Sequence, residues 1–350
     1  MITKPIDENS VALIPEESDD LFTLRRIIKK EDKLTGETTR AIKQEKDFSR
    51  PDRGERIKIR VALYVEKISI DDVVDRLKAH GTIIESDNEL VRKGSHHSLI
   101  LKIGEPFTLT KKNWTGIEKK LIYGKKANHS FLLVAIDTGD CGIGRLSGTH
   151  LRLMPNMYSG ASGKQYKAKF NIKTFFEDVQ SAISTFIREG DLIIIFGPGE
   201  TKKRFGNFLA ESPIEKKHKI QAVEGIDSGG EDGIYTFIKS ETMKQVMAQS
   251  KIAKVSAIID EIMLRVHKKS SKFTMGFDET VKASDAGAVE SLVFSDKVFE
   301  KQDEDRVIEF LNQVESRGAN VFAVDSTTDI GLRVSSLGGI VSLLRFAPPS

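Results

Sequence analysis

The 350-residue chain contains one cysteine, Cys141, and one tryptophan. A single cysteine excludes an intramolecular disulfide and a Cys-rich zinc site, and it fits a reducing compartment. Long apolar runs are missing too. The stretch Phe131 to Ile136 is about a third of what a membrane-spanning helix requires, and the opening Met1-Ile2-Thr3-Lys4-Pro5-Ile6-Asp7-Glu8 has no apolar leader core. A cytoplasmic protein is expected, with no membrane partner. Neither charge sign dominates: 54 Lys plus Arg stand against 51 Asp plus Glu, a net charge of +3, which excludes a histone-like polycation. There is no internal repeat and no low-complexity tract. At about 150 residues per domain, the length asks for two or three domains.

The bases lie early and the acids late. Residues 1–125 carry 25 basic and 22 acidic side chains, 126–250 carry 16 and 14, and 251–350 carry 13 and 15. Pattern changes fall at the same places. The first region reads as many short strands (Val11 to Ile14, Ile57 to Val65, Gly81 to Ile84, Ser98 to Ile103), with one helix from Asp19 to Ile28 whose apolar residues stand at 21, 24, 27 and 28. Short strands with little helix suggest a small barrel. The buried-strand run Phe131 to Ile136 opens a second domain, in which the amphipathic stretch Ile172 to Ile187 leads into Leu192 to Phe196, an α/β unit with a mixed sheet. From the helical pattern Ala253 to Val266 onward, helices at 283–290 and 304–316 alternate with strands at 291–294, 320–324 and 339–346, the pattern of an α/β/α sandwich. The expected domains are therefore 1–125, 126–250 and 251–350.

Motifs for catalysis are few. Gly197-Pro198-Gly199-Glu200-Thr201-Lys202 joins a strand to a helix, so its amides could face an anion, but the G-x-x-x-x-G-K-[ST] spacing is absent and a protein-contact turn is the better reading. Gly142-Ile143-Gly144 opens no helix and reads as a β-hairpin. Asp137 and Asp140 follow a strand end, where turn formation is the default and metal binding the outside reading. Glu16, Glu17, Asp19 and Asp20 are explained by capping and the helix dipole. The seven histidines make no H-x-x-x-H pair on a helix, which leaves zinc chemistry little support. Arg40 to Arg60 differs in kind: eight basic residues against four acidic ones surround a loop, Ser49-Arg50-Pro51-Asp52-Arg53-Gly54, from which arginines can reach a phosphate backbone.

Taken in chain order, several stretches resemble the Pelota family of archaeal and eukaryotic ribosome-rescue factors, relatives of the class I translation release factors. They are Pro15-Glu16-Glu17-Ser18-Asp19-Asp20-Leu21-Phe22-Thr23-Leu24 with Thr38-Thr39-Arg40 after it; Gly197-Pro198-Gly199-Glu200-Thr201-Lys202, where Glu200 replaces the family's Phe; Ser284-Asp285-Ala286-Gly287-Ala288-Val289-Glu290-Ser291-Leu292-Val293-Phe294-Ser295-Asp296; and Leu337-Gly338-Gly339-Ile340-Val341-Ser342-Leu343-Leu344-Arg345-Phe346. The resemblance runs essentially end to end. It implies an Sm-like N-terminal barrel, an RNase H-like central domain and a C-terminal α/β/α domain similar to kink-turn-binding ribosomal proteins.

It also implies a monomeric adaptor that enters the vacant A site of a stalled ribosome beside a GTPase of the elongation factor one-alpha type, followed by an ABC-type recycling ATPase. No cofactor is required for that binding. Arg40, Lys43, Lys46, Arg50, Arg53, Arg56 and Arg60 would touch messenger and ribosomal RNA, and Gly197, Pro198 and Gly199 the GTPase. The Gly-Gly-Gln tripeptide of release factors is absent, so peptide release is not expected; Asn171-Ile172-Lys173-Thr174 resembles their codon-reading motif only by chance, at a helix start. The alternative is a divalent-metal endoribonuclease, an activity attributed to the family, with Glu17, Asp19 and Asp20 as its acids.

Overall fold

The structure, a computed structural model, describes residues 1–42, 55–70, 76–124, 130–160, 171–326 and 328–348. It divides into two compact units: Met1–Lys126 with Ser270–Ser326 and Gly331–Ser350, and Ala127–Lys269 with Thr327–Ile330. Among the described residues, three sheets organise them.

In the first unit, β1 (Ile2–Pro5), β2 (Ser10–Ile14), β3 (Lys33–Ile42), β4 (Glu55–Ile70), β5 (Arg76–Ser86), β6 (His96–Lys102) and β7 (Phe107–Thr110) form an antiparallel sheet in the order β1-β2-β7-β3-β4-β5-β6. The sheet curls on itself. Thr38 of β3 hydrogen-bonds His97 of β6 at 3.0 Å although two strands separate them in the sheet order, giving the Sm-like barrel that the resemblance implies. Alternation along β5 sends Leu77, Ala79 and Ile83 into the core. Two features differ from the sequence reading. β4 is 16 residues long rather than a short strand, and a second helix, α2 (Gly116–Tyr123), starts on a reciprocal capping box between Thr115 and Glu118.

α1 (Ser18–Ile27) sits where helical spacing predicts, and Leu21, Leu24, Ile27 and the adjoining Ile28 fill the barrel core. Its opposite side is buried as well. Phe22 belongs to the hydrophobic core of residues 277–344, edge-on to Phe294 at 5.8 Å and stacked on Phe299 at 6.5 Å.

The central sheet runs β10 (His150–Leu153), β9 (Asp140–Ser147), β8 (Phe131–Ile136), β12 (Leu192–Phe196), β13 (Ile220–Ala222), with β11 (Met157–Tyr158) on β9. It is mixed, as expected for an RNase H-like α/β domain: β8 is antiparallel to β9 and parallel to β12. Its helices are α3 (Ile172–Phe186), α4 (Thr201–Ala210), α5 (Gly230–Lys239), α6 (Glu241–Val246) and α7 (Lys251–His267). The compact units part after Lys269, so α7 falls with the central sheet although the sequence pattern changes near residue 250.

The last sheet, β14 (Phe273–Met275), β17 (Ile340–Leu344), β15 (Val289–Ser295), β16 (Asn320–Val324), carries α8 (Phe277–Asp285), α9 (Val298–Lys301), α10 (Glu304–Ser316) and α11 (Asp329–Ser336). The helix expected over 283–290 lies earlier, at 277–285. Gly287, at φ +70°, closes it, and Val289 already belongs to the strand.

Because Phe22 is 3% exposed and joins a core far away in sequence, Phe22→Ala is expected to cost about 3–5 kcal/mol. The loss should appear as faster hydrogen exchange in β15 and α10 while β5 and β6 stay protected. Unchanged exchange in α10 would contradict the assignment.

Candidate nucleic-acid interface

β4 alternates strictly at its start. Ile59 and Val61 point into the barrel, and Arg56, Lys58 and Arg60 stand exposed on the outer face. Lys58 pairs with Glu37 of β3, and the Arg60 N–H donates to Asp87 at 2.9 Å. Arg40 does not join this row. It lies opposite Ile57 in the β3–β4 ladder, half-buried, and its guanidinium donates to Ser95 Oγ at 3.2 Å. Burial first, then the nearby charges of Arg40 and His80, hold the His97 imidazole below its usual range. The described cations therefore divide between an outer row and the neighbourhood of Ser95 and His97. Lys43, Lys46, Arg50 and Arg53 lie outside the described residues.

The acids expected for nuclease chemistry do not converge. Asp20 is fully buried; its carboxylate accepts the Glu16 N–H at 2.9 Å and lies 2.6 Å from the Met1 amino nitrogen. Capping is also not as expected, since Glu17 occupies the N-cap position of α1 without a side-chain cap bond. Among the described residues, the group of three side chains close enough to hold one metal ion is Glu66, His80 and His96, not Glu17, Asp19 and Asp20.

In the central unit, Gly197 takes φ +139°, and a Cβ there would lie 2.1 Å from the Ile136 carbonyl, so the tight turn after β12 needs glycine. Lys202 fastens this turn. Its buried ammonium donates to the Gly197 and Gly199 carbonyls at 2.9 and 2.8 Å and pairs with Glu224 at 2.8 Å. With that cation spent on its own loop and with Glu200 and Glu224 paired to Lys203 nearby, a phosphate meets carboxylates rather than an open cradle. The turn presents a surface.

The hairpin reading of Gly142 to Gly144 holds. β8 and β9 pair from Phe131–Leu146 to Ile136–Cys141, closed by Asp137 N–H to Asp140 O at 2.9 Å. Gly142 is glycine because α5 packs against it: a Cβ would stand 2.4 Å from the Gly230 backbone. Asn171 caps α3 by accepting the Lys173 N–H at 2.9 Å, so Asn171 to Thr174 form the helix start that the sequence places there.

These features define a class: a multidomain α/β protein whose curled N-terminal barrel exposes a cationic row and whose central domain presents a rigid glycine turn. Sequence comparison narrows it. The Pelota N-terminal domain pattern matches residues 2–125, and the eRF1 domain 3 pattern matches residues 252–348. A protein pelota homolog of Nitrosopumilus maritimus is 63% identical over 347 residues, covering 99% of both chains. Another, of Cenarchaeum symbiosum, is 47% identical and covers 99% of this chain and all of its own. The crystal structure of the Thermoplasma acidophilum Pelota protein shares the fold, with a TM-score of 0.65 at 22% identity over 99% of this chain and 100% of that one. The chain belongs to the Pelota family. No helix among the described residues is long and apolar enough to cross a membrane.

Burial first, then the charges of Asp137 and Asp232, push the Asp140 carboxyl above the usual carboxylate range. The folded chain holds that proton more tightly than the unfolded chain, so this group's stability contribution is complete in acid and is lost as pH rises through the raised value. Asp140→Asn is expected to stabilise the protein at pH 7 by under about 1 kcal/mol. The gain should shrink towards pH 3; equal gains in urea unfolding at both pH values would contradict it.

Proposed function

We propose that the chain is a cytoplasmic ribosome-rescue factor. It enters the vacant A site of a stalled ribosome as a monomer beside a GTPase of the elongation factor one-alpha type. With an ABC-type recycling ATPase it promotes subunit dissociation without releasing the peptide. The observation that carries this reading is full-length kinship with pelota homologs, 63% identity over 99% of both chains, which spans all three sheets rather than one portable domain.

In this reading the barrel meets ribosomal and messenger RNA through Arg56 and Arg60, with Arg40 and the neighbouring Lys43, Lys46, Arg50 and Arg53. Contacts to phosphate carry no base code, so binding is indifferent to the stalled codon. That indifference suits a factor acting wherever translation halts. Arg56 and Arg60 alternate on one exposed strand face, spaced at two residues on either side of Lys58. Arg56→Ala with Arg60→Ala is expected to weaken ribosome binding at low salt and to reduce the slope of log affinity against log salt by roughly 1.5. Affinity and slope both matching wild type would remove these two residues from the interface.

The turn Gly197 to Gly199 is assigned to the GTPase. Gly199 takes φ +59° with open space where a Cβ would stand, so Gly199→Arg costs about 1–2 kcal/mol in backbone strain without a clash. The expected result is at least a tenfold loss in GTPase pull-down, with Gly199→Asn, which tolerates this conformation, retaining capture. Undiminished capture by Gly199→Arg overturns the assignment. Dissociation assays with the GTPase and ATPase added in turn test the whole reading, which requires dependence on both.

A further inference from the structure

The outer face of β4, β5 and β6 carries a cluster that neither the family relationship nor the RNA reading uses. Thr82 stands opposite His96 and His80 opposite Ser98 in the β5–β6 ladder, so the two histidines are diagonal neighbours on one face. Their rings lie parallel, 11° apart in plane and 5.6 Å between centroids. The third member arrives by an irregularity. Val65 pairs with Gly81 and the next registered pair is Lys67–His80, which leaves Glu66 as the extra residue of a β-bulge. Alternation from Val65 already faces Glu66 outward beside the histidines, and the bulge adds a second outward residue, Lys67, before Ile68 returns to the core. Without that extra residue, strict alternation could not serve both the core at 68 and the cluster at 66.

We propose that Glu66, His80 and His96 form a binding site for one divalent transition-metal ion, zinc(II) being the natural occupant. One ligand atom from each side chain lies within 4.8 Å of the other two. In a tetrahedral zinc shell with bonds of about 2.0–2.1 Å, ligand atoms sit roughly 3.4 Å apart. Closing that gap needs only rotation of three side chains that are exposed or half-buried. The donor set, two imidazoles and one carboxylate, suits zinc over calcium or magnesium, which prefer all-oxygen shells.

Supporting bonds already orient the set. Ser98 Oγ engages His80 Nδ1 at 3.0 Å and leaves Nε2 as the ligating atom, while the Thr82 hydroxyl holds one Glu66 oxygen. The other Glu66 oxygen lies 3.3 Å from His96 Nδ1. Such second-layer bonds to a carboxylate and an imidazole are what a metal site requires to fix ligand orientation. Three protein ligands on a solvent-facing surface leave a fourth position for water or an exogenous donor.

The test uses the full chain stripped with EDTA and titrated with zinc chloride against a chromophoric chelator. One equivalent is expected to bind. Glu66→Gln, His80→Gln and His96→Gln should each weaken binding at least tenfold, Ser98→Ala should weaken it less, and His267→Gln should leave it unchanged. A second measurement needs no variant: cobalt(II) added to the wild-type chain should broaden the ring protons of His80 and His96 selectively. Absence of binding at micromolar zinc, or cobalt broadening centred on other histidines, overturns the proposal.

Discussion

The structure depends on a ten-residue helix buried on both sides. Alone, α1 is too short to be stable in water, and its sequence commits it to two cores. Leu21, Leu24 and Ile27 close the barrel, and Phe22 closes the C-terminal core. Arg25 and Arg26 then meet α10. Arg25 pairs with Glu304 and with Asp305, the latter at 2.6 Å, while Arg26 donates to Asn312 at 2.9 Å and to Glu315 at 2.5 Å. Both guanidiniums are nearly buried, so each needs its partners; a buried charge left alone costs several kcal/mol. The barrel and the C-terminal sheet are therefore one compact unit by chemistry, although most of the central sheet's chain lies between them in sequence. At the same C-terminal end of α1, Lys111 donates to the Ile27 carbonyl at 2.7 Å and pairs with Asp32 at 2.6 Å, placing a cation on the negative end of the helix.

The central unit solves a different problem, holding the turn after β12 in one shape. Lys202 does this from inside by satisfying two carbonyls of its own loop. At the opposite end of β12, Asp191 is fully buried and receives Arg145 through two bonds at 2.9 and 3.1 Å, together with Ser130 and the Arg188 N–H. Both ends of that strand are thus pinned by a charged group held by several hydrogen bonds, and the turn after it is fixed in shape.

What could be read in advance follows from whether a signal is local. The runs Phe131 to Ile136 and Leu192 to Phe196 and the helix Glu304 to Ser316 lie where periodicity places them, because continuous burial and a 3.6-residue repeat need no knowledge of neighbours. The two-sided role of α1 was half legible. Its 21, 24, 27, 28 stripe announced one core, but Phe22, Arg25 and Arg26 lie off that stripe, and their partners, Phe294 and Phe299 for the ring and the acids of α10 for the arginines, come from the other end of the chain. The helix near 283 was displaced because Ala283 to Val289 is apolar enough to suit either element, and only Gly287 decides where one stops. The histidines failed for the same reason in stronger form. His80 and His96 are 16 residues apart and become neighbours only through strand register, which no spacing rule for helices detects. Arg40 shows the converse: it belongs to the same basic segment as Arg56 and Arg60, yet the β3–β4 register sets it opposite Ile57 and keeps it out of their row.

β4 ties these cases together. Its early half keeps strict alternation, so three cations stand on one exposed face while Ile59 and Val61 enter the core. Had that phase continued, residue 68 would face outward, and the core would lose Ile68. The bulge at Glu66 resets the phase and keeps the core continuous along a strand of 16 residues, and its unavoidable by-product is two successive outward side chains, Glu66 and Lys67. An extra outward residue in a curled sheet can be any small polar group. Here it is a carboxylate held by Thr82 and set against two stacked imidazoles, one of which, His80, is steadied by Ser98. Core continuity explains the bulge but not the choice of these side chains. Thr82 orients the carboxylate and Ser98 orients one imidazole, and the proposed sharing of one cation gives that choice a reason beyond packing.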